Sequence, residues 1–551
     1  MLCVYPGIYY EDMTDVMMSV LSRGFYTSEP VSIFNNYGAH FILGQLYASL
    51  EKLFPIGWYG ILNLFFTYLA VINILYCVFL STTGKDKYIR YLFIAAILIF
   101  LVNDILFIQY TKTSIYLIFT SVWIISYNLR NKIKTAQSKL LIGYNIILFV
   151  IGLLLRQFSI LLVVFIYFPI LLIQFIQNDE RSFKKLAITA ISFFAVSALI
   201  IYTSALPYNS TDKQYAAFAN YKISIWDNAQ PANTLHFQNS KDSMYFKCLS
   251  SFYIPEKAVC DPNYLNKIGV LKAHSLLNWA ETSFKQLNSK ISASLARWQE
   301  ITSDKIVNRF TVILLILPFI FIRSRKNIMQ ATLYLLWISF CLIAISIIVK
   351  MESRVLFPSV LILLVLIIDK IDKTENQQIT TKYFMYIFSL VFIYHAFLYV
   401  QSKYFIASKR LQGQQEINKL INDFKNYEPT KIYLLDWITI NMLENEVIHS
   451  NTNAQKLNWY SVDAAYLVFY DEYYKKRTQI TGTATLKDFL KYLQLHKDNF
   501  VFLYSENRTN LFAEYSKTIY NIDLKFSAPT PIITEGEIFN GKYNFYRYTL
   551  Q

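Results

Sequence analysis

The sequence predicts an α-helical polytopic membrane protein of about 10–11 spans with a small external α/β domain at its C-terminal end. Three observations lead there. Of 551 residues, 54% are hydrophobic and only 16% charged, and the mean hydropathy is +0.31, outside the range of soluble globular chains. Apolar runs long enough to cross a bilayer recur between residues 57 and 402. Beyond about residue 405 the texture changes to short strand-like runs between helical stretches.

The charge distribution narrows the class. The net charge is +15, but the basic residues stand in short clusters between apolar runs, so they orient the chain in a bilayer and do not form a nucleic-acid surface. No Walker A or GxGxxG segment occurs, which argues against direct use of a nucleotide. His236, His274, His449 and His496 show no HxH or HExxH spacing, and His395, within an apolar run, reads as a packed or interfacial histidine. Of the five cysteines, Cys3, Cys77 and Cys341 lie in apolar surroundings. Cys248 and Cys260 share one long polar loop and are expected to pair in an oxidising compartment, which would stabilise by about 3 kcal/mol.

In chain order, Met1–Tyr10 is an apolar run too short to span and reads as the tail of an upstream span. Glu11, Asp12 and Asp15 follow at helical spacing, so the three carboxylates share one face if the segment is a helix. They repel one another unless a divalent cation or nearby basic groups join them; the segment also fits a solvated acidic turn. Residues 12–54 read as short amphipathic helices broken at Gly24, Pro30, Gly38 and Pro55 and lying along the interface, with Trp58 and Tyr59 marking the return to the bilayer.

Apolar runs then cover about 57–81, 89–108, 110–127, 139–155, 157–176, 185–205, 309–323, 328–349, 353–369 and 383–402. One alternating set of linkers carries sixteen basic residues, among them Lys85, Arg90, Arg130, Lys132, Arg325 and Lys373; the other short linkers carry four. The positive-inside rule puts the first set in the cytoplasm. Segment 10–55, loop 206–308 and the region after Tyr404 are then external. The loop is too long for a connector, with helices expected near 212–225 and 266–300. The domains divide as 1–404 and 405–551. In the second, a helix near 411–426 precedes strand-like runs Lys431–Trp437, Ala464–Tyr470, Phe500–Tyr504 and Tyr543–Thr549, with a helix near 485–495.

The four basic exceptions, Lys112, Arg156, Lys350 and Arg354, are the informative ones, together with Asp104 inside an apolar run. All fall near the outer face, level with Asp12. Charge at membrane depth is costly and marks polar cavities or pathways, although long basic side chains also snorkel to the interface. Four cations beside a carboxylate cluster suit an anionic ligand next to an acid or base.

The order of features resembles the bacterial GT-C superfamily of membrane glycosyltransferases. The resemblance rests on Glu11-Asp12-Met13-Thr14-Asp15, Gly24-Phe25-Tyr26, Gln109-Tyr110-Thr111-Lys112-Thr113, Arg156 and Arg354-Val355-Leu356-Phe357-Pro358, and covers residues 10–400 in layout. It implies an inverting transferase at the outer face of the bacterial cytoplasmic (inner) membrane. Such an enzyme moves a sugar from a polyprenyl-phosphate donor to a cell-envelope glycan or lipid-linked acceptor. It further implies Asp12 as catalytic base with Glu11 second, phosphate contacts from Lys112, Arg156, Lys350 and Arg354, and an Mg2+ or Mn2+ ion at Asp12 and Asp15. Two features depart from the family pattern: the first span is absent, and the acidic pair is Glu-Asp. Two other classes fit the layout, an O-antigen-type polymerase working through loop 206–308 and a lipid-linked glycan flippase or transporter.

Overall fold

The computed structural model describes residues 7–25, 27–32, 39–131, 136–176, 180–205, 239–251, 253–267, 303–348, 353–372, 379–436, 439–440, 446–447, 458–463, 465–505, 508–538 and 541–551, with short stretches between 291 and 299. The first strand, β1 (Tyr9–Tyr10), leads into α1 (Met13–Arg23), which starts where Asp12 accepts the Thr14 N–H at 2.7 Å and stops where Gly24 adopts a left-handed φ of 70°. Val16, Met17, Met18, Val20 and Leu21 are all buried. Helix α1 is therefore a core element, a correction to the interfacial placement its sequence suggested. The interfacial pattern belongs to α2 (Phe41–Leu53), which leaves Ile42, Leu46 and Leu53 exposed along one stripe.

The bundle proper runs α3 (Trp58–Ser81), α4 (Lys87–Phe100), α5 (Val102–Leu106), β2 (Phe107–Ile108), α6 (Tyr110–Arg130), α7 (Ala136–Leu155), α8 (Ser159–Ile176) and α9 (Glu180–Ala205). The loop that follows contributes α10 (Ser240–Ser250), a 3-10 turn at Lys257–Cys260 and α11 (Pro262–Lys267). The chain then returns through α12 (Lys305–Ile316), α13 (Arg325–Ile348), α14 (Ser353–Ile368) and α15 (Ile379–Tyr427). Among the described residues, five helices are long and apolar enough to cross a membrane, within α3, α7, α9, α13 and α15, while α8 and α14 are shorter apolar helices. That is fewer than the ten apolar runs, for local reasons. The run 89–108 breaks after Phe100 into α4, α5 and β2, and the run 309–323 ends in a 3-10 turn at Leu317–Phe321 that holds Pro318. Helix α6 carries Lys112 and a series of Ser and Thr residues, and is enclosed by α3, α7, α8, α9 and α14.

Three helices fix the polarity of the bundle. Tyr59 at the start of α3, Lys112 at the start of α6 and Arg354 at the start of α14 all lie at one end. At the other end Lys85, just past α3, donates to the Ile368 carbonyl at the close of α14 at 2.9 Å. The basic linkers and the carboxylate cluster thus occupy opposite ends.

The C-terminal unit is a five-stranded sheet of order β4-β3-β5-β7-β6, formed by β3 (Ile432–Leu435), β4 (Asn458–Ser461), β5 (Phe500–Ser505), β6 (Thr530–Ile538) and β7 (Gly541–Tyr548). Strands β3, β4 and β5 are parallel, and β7 runs antiparallel to β5 and β6. Helices α16 (Asp471–Thr481), α17 (Leu486–Leu495) and α18 (Arg508–Tyr520) complete it. The run Ala464–Tyr470, expected as a strand, forms a 3-10 turn at Ala465–Phe469. The expected boundary at 404/405 falls inside α15, which runs from the last long apolar helix segment directly toward the C-terminal unit.

This unit is tied to the bundle at two places: the Val447 N–H donates to the Ile8 carbonyl and the Ser28 N–H to the Glu472 carbonyl, each at 2.9 Å. The long loop clasps it too, with Glu256 accepting from Tyr520 Oη at 2.7 Å and from Tyr515. Cys248 and Cys260 sit in this contact as buried thiols with no disulfide between them. Both are fully enclosed with Tyr253 and Leu265 in the core, where they act as small hydrophobes. The helix expected near 212–225 lies outside the described residues, as does most of that expected near 266–300.

Candidate functional site

Two short strands set the site. Strands β1 and β2 pair in parallel, Tyr9 opposite Phe107 and Tyr10 opposite Ile108, and the Glu11 N–H continues the ladder to the Ile108 carbonyl at 3.0 Å. This brings Glu11 against the start of α6. There Gln109 caps the helix by accepting the Lys112 N–H at 2.9 Å, and Lys112 turns inward. Its ammonium lies 2.6 Å from Glu11 Oε2 and 2.8 Å from Asp104 Oδ1, and Asp104 also accepts Tyr116 Oη at 2.6 Å. The interruption between α4 and α5 is what aims Asp104, expected only as a polar site residue, at this ammonium.

Arg354 closes the cluster from α14, its Nη1 2.5 Å from Asp12 Oδ2, while the neighbouring Ser353 hydroxyl points at Glu11 Oε1 at 3.4 Å. Exposure separates floor from rim. The side chains of Lys112 and Asp104 are 2% and 6% exposed, whereas those of Glu11, Asp12 and Arg354 are 23%, 24% and 23% exposed. The floor is a fixed buried pair, and the rim is what a ligand can reach.

Arg156 arrives from the end of α7. Gly152 lets α7 lie against α6, since a Cβ there would press on Ile118 and the Ser114 carbonyl, and Ser114 Oγ donates to the Gly152 carbonyl at 2.7 Å. The close approach places Arg156 over the Tyr110 ring, where its guanidinium donates to Tyr110 Oη at 2.7 Å and Thr111 Oγ1 at 3.1 Å. Of the four expected phosphate contacts, Lys112, Arg156 and Arg354 converge on the start of α6; Lys350 lies outside the described residues.

Asp15 faces away from this rim. It is 1% exposed, accepts Tyr59 Oη at 2.6 Å, and has the Tyr110 N–H at 3.5 Å. Burial first, and then the charge of Asp12, hold its carboxyl well above the usual carboxylate range. Asp12 spends one oxygen on the α1 cap and the other on Arg354. The arrangement does not fit a cation bridging Asp12 and Asp15, since Asp15 is buried against Tyr59 and Asp12 points at a guanidinium. Among the described residues no group of three His, Cys, Asp or Glu is placed to hold a metal ion.

Two cations that the sequence reading passed over come from α15. Lys403 lies 3.7 Å from Asp304 with its side chain 12% exposed, and Lys112 and Glu11 are within its electrostatic reach. Arg410 donates to the Tyr10 carbonyl at 3.2 Å and lies over the Phe107 ring at 4.7 Å. The two stand seven residues apart, two helical turns, on one face of α15 with buried Ala407 between them. That spacing was legible, but only to a reader who carried the helix through residue 404.

No protein-family model and no curated protein matches the chain. What the residues can do therefore rests on their chemistry. The rim offers a carboxylate about a quarter exposed and paired with an arginine guanidinium, with further cations beside and beneath it. Such a set neutralises a phosphate oxyanion and holds a carboxylate ready to accept a proton.

Proposed function

We propose that the protein is a GT-C-like membrane glycosyltransferase. It moves a sugar from a polyprenyl-phosphate donor to a cell-envelope glycan or lipid-linked acceptor, at the outer face of a bacterial cytoplasmic membrane. The observation that carries this reading is the Asp12–Arg354 pair on the accessible rim, backed by Lys112 and flanked by Arg156. All of them stand at the end of the bundle away from the basic linkers.

The donor phosphate takes the Arg354 fork, with Arg156 stabilising the oxygen that becomes the leaving group. Arg354 then no longer neutralises Asp12, whose carboxylate accepts the acceptor hydroxyl's proton. The new bond joins that oxygen to the anomeric carbon as the bond from that carbon to the phosphate oxygen breaks, the electron pair leaving with polyprenyl phosphate. One displacement inverts the anomeric centre. Glu11 serves the ammonium of Lys112 in this scheme and is the second choice as base. No step passes through a metal ion.

A polymerase acting through loop 206–308 would need its reacting groups there, yet the longest described part of that loop, 239–251 and 253–267, is engaged with the C-terminal unit. The deciding experiment is a structure with a non-hydrolysable polyprenyl-phosphate sugar analogue. Phosphate density between Arg354 and Arg156 supports the proposal, and density ending on residues 239–267 overturns it.

A further inference from the structure

Strand β1 carries the acidic segment to the rim, and its backbone shows what holds each edge. Successive residues of a strand turn their N–H and C=O groups to opposite edges. Tyr9 and Glu11 turn toward β2, where the Glu11 N–H meets the Ile108 carbonyl at 3.0 Å. Ile8 and Tyr10 turn the other way. The Ile8 carbonyl accepts the Val447 N–H of the C-terminal unit at 2.9 Å, with Tyr9 bridged to Glu446. The Tyr10 carbonyl, one step nearer the carboxylates, accepts Arg410 Nη1 from α15 at 3.2 Å. A side chain thus continues this edge at the point where Glu11 begins.

The same guanidinium grips both strands. It lies over the Phe107 ring of β2 at 4.7 Å and the Tyr9 ring of β1 at 5.9 Å, and those two rings stack at 6.4 Å. Tyr9, Phe107 and Ala407 of α15 form a small buried cluster apart from the main core, with Ile406 and Leu411 packed on it. This face of α15 is therefore what clamps the strand pair from the side of the rings. A planar guanidinium lies flat on a ring while its edge donates to a carbonyl, a combination the compact lysine ammonium does not reproduce. Asp12 stands two residues beyond Tyr10, so play in β1 is passed to the rim, where a 1 Å misplacement costs about 10²-fold in rate.

We infer that Arg410 is a positioning residue for transfer, acting through the Tyr10 carbonyl and the stacked Tyr9 and Phe107 rings to hold Glu11 and Asp12 at the rim. The role rests on the transferase reading of that rim. Arg410 in this role contacts neither donor nor acceptor; it sets where the base stands. Val447 and Arg410 hold successive carbonyls on one edge of β1. The C-terminal unit and α15 together thus fix the strand that carries the base.

The test is single-turnover transfer by the full-length protein in liposomes, with a synthetic polyprenyl-phosphate sugar as donor and peptide-resolved hydrogen exchange as a second readout. Arg410→Met keeps an unbranched apolar stem but removes the donor and the charge. It should lower the transfer rate about 10- to 100-fold, while the donor concentration at half-maximal rate stays within about twofold. Arg410→Lys should recover part of the loss. In an Asp12→Asn background, Arg410→Met should cost less than about twofold, because the group it places is already gone. A fall by the full factor in both backgrounds marks general damage to the fold and overturns the positioning role. Exchange at residues 8–12 should rise about tenfold in Arg410→Met, the effect of one charge-assisted hydrogen bond, with α3 and α18 unchanged. Unchanged exchange at 8–12 overturns the role as well. If Arg410→Met does not insert, Arg410→Lys carries both readouts, in the same direction and smaller. The two readings fail separately. A wild type that transfers nothing sinks the transferase reading and leaves exchange to decide whether Arg410 holds the acidic segment. Transfer that needs Asp12 yet ignores Arg410 sinks only the positioning role.

Discussion

Asp12 carries two tasks that a single substitution can separate. One oxygen caps α1 and the other faces Arg354. Asparagine caps a helix about as well as aspartate, so Asp12→Asn should leave α1 folded while removing the base. Transfer in a reconstituted assay should then fall by roughly 10² to 10⁴ with little change in donor affinity. A folded Asp12→Asn protein that transfers at the wild-type rate excludes this base. Arg354→Ala should weaken donor binding most, and Arg354→Lys should restore it incompletely because lysine lacks the planar fork. Lys112 plays a different part: it is buried between two carboxylates, so Lys112→Ala strands both and should cost about 3–5 kcal/mol, read as a lowered melting temperature in detergent. Lys112 and Arg354 were legible because each breaks the charge rule of its surroundings, and Asp12 because it stands in a cluster of carboxylates. Asp15 was not, since spacing gives the face of a helix but not which way that face turns; α1 is buried on nearly every side, and Asp15 points into the core.

At the scale of elements, the informative failures come from short pieces. Strands β1 and β2 are two residues each, too brief to leave a pattern, and Ala464–Tyr470 shows how a short apolar run serves strand or 3-10 turn equally well. One of the contacts that join the C-terminal unit to the bundle leaves room only for a glycine. Gly60 lies against the Val447 carbonyl, and any Cβ there would run into it. Gly60→Ala should therefore push residues 446–447 away from Ile8, seen as faster proteolysis of the C-terminal unit while α3 stays inserted. The same contact carries a pH dependence. Glu446 bridges to Tyr9, and burial lifts its carboxyl to about 7. Because the docked state holds its proton more tightly than the released state, docking is strongest below the ordinary glutamate pKa of about 4.3. It weakens as pH rises through about 7. Hydrogen exchange in β1 should rise over that window, and Glu446→Gln should flatten the profile; a wild-type profile flat between pH 5 and 8 counts against it.

For the whole molecule, composition and charge periodicity conveyed the helical membrane character, and the structure adds how the two ends differ. Helices α3, α6 and α14 each begin at the carboxylate rim and end among the basic linkers, so the sorting of linker charges read along the sequence reappears as a separation in space. Merging of the last span with the helix at 411–426 was hidden because hydropathy drops near residue 405 while helix propensity does not. A polarised molecule of this kind makes a sharp prediction for orientation. Lys326, near the start of α13, belongs to the basic end, and Lys497 lies on the C-terminal unit, which is tied to the rim through Ile8 and Ser28. Basic linkers are retained in the cytoplasm. Lys497→Cys should then react with a membrane-impermeant maleimide on intact cells, and Lys326→Cys only after permeabilisation. Of the native cysteines, Cys77, Cys248, Cys260 and Cys341 are buried, and Cys3, outside the described residues, is changed to Ser in the background of both variants. Labelling of Lys326→Cys from outside would turn the rim toward the cytoplasm, where an externally presented polyprenyl-phosphate donor could not reach Asp12, and the glycosyltransferase reading would fall with it.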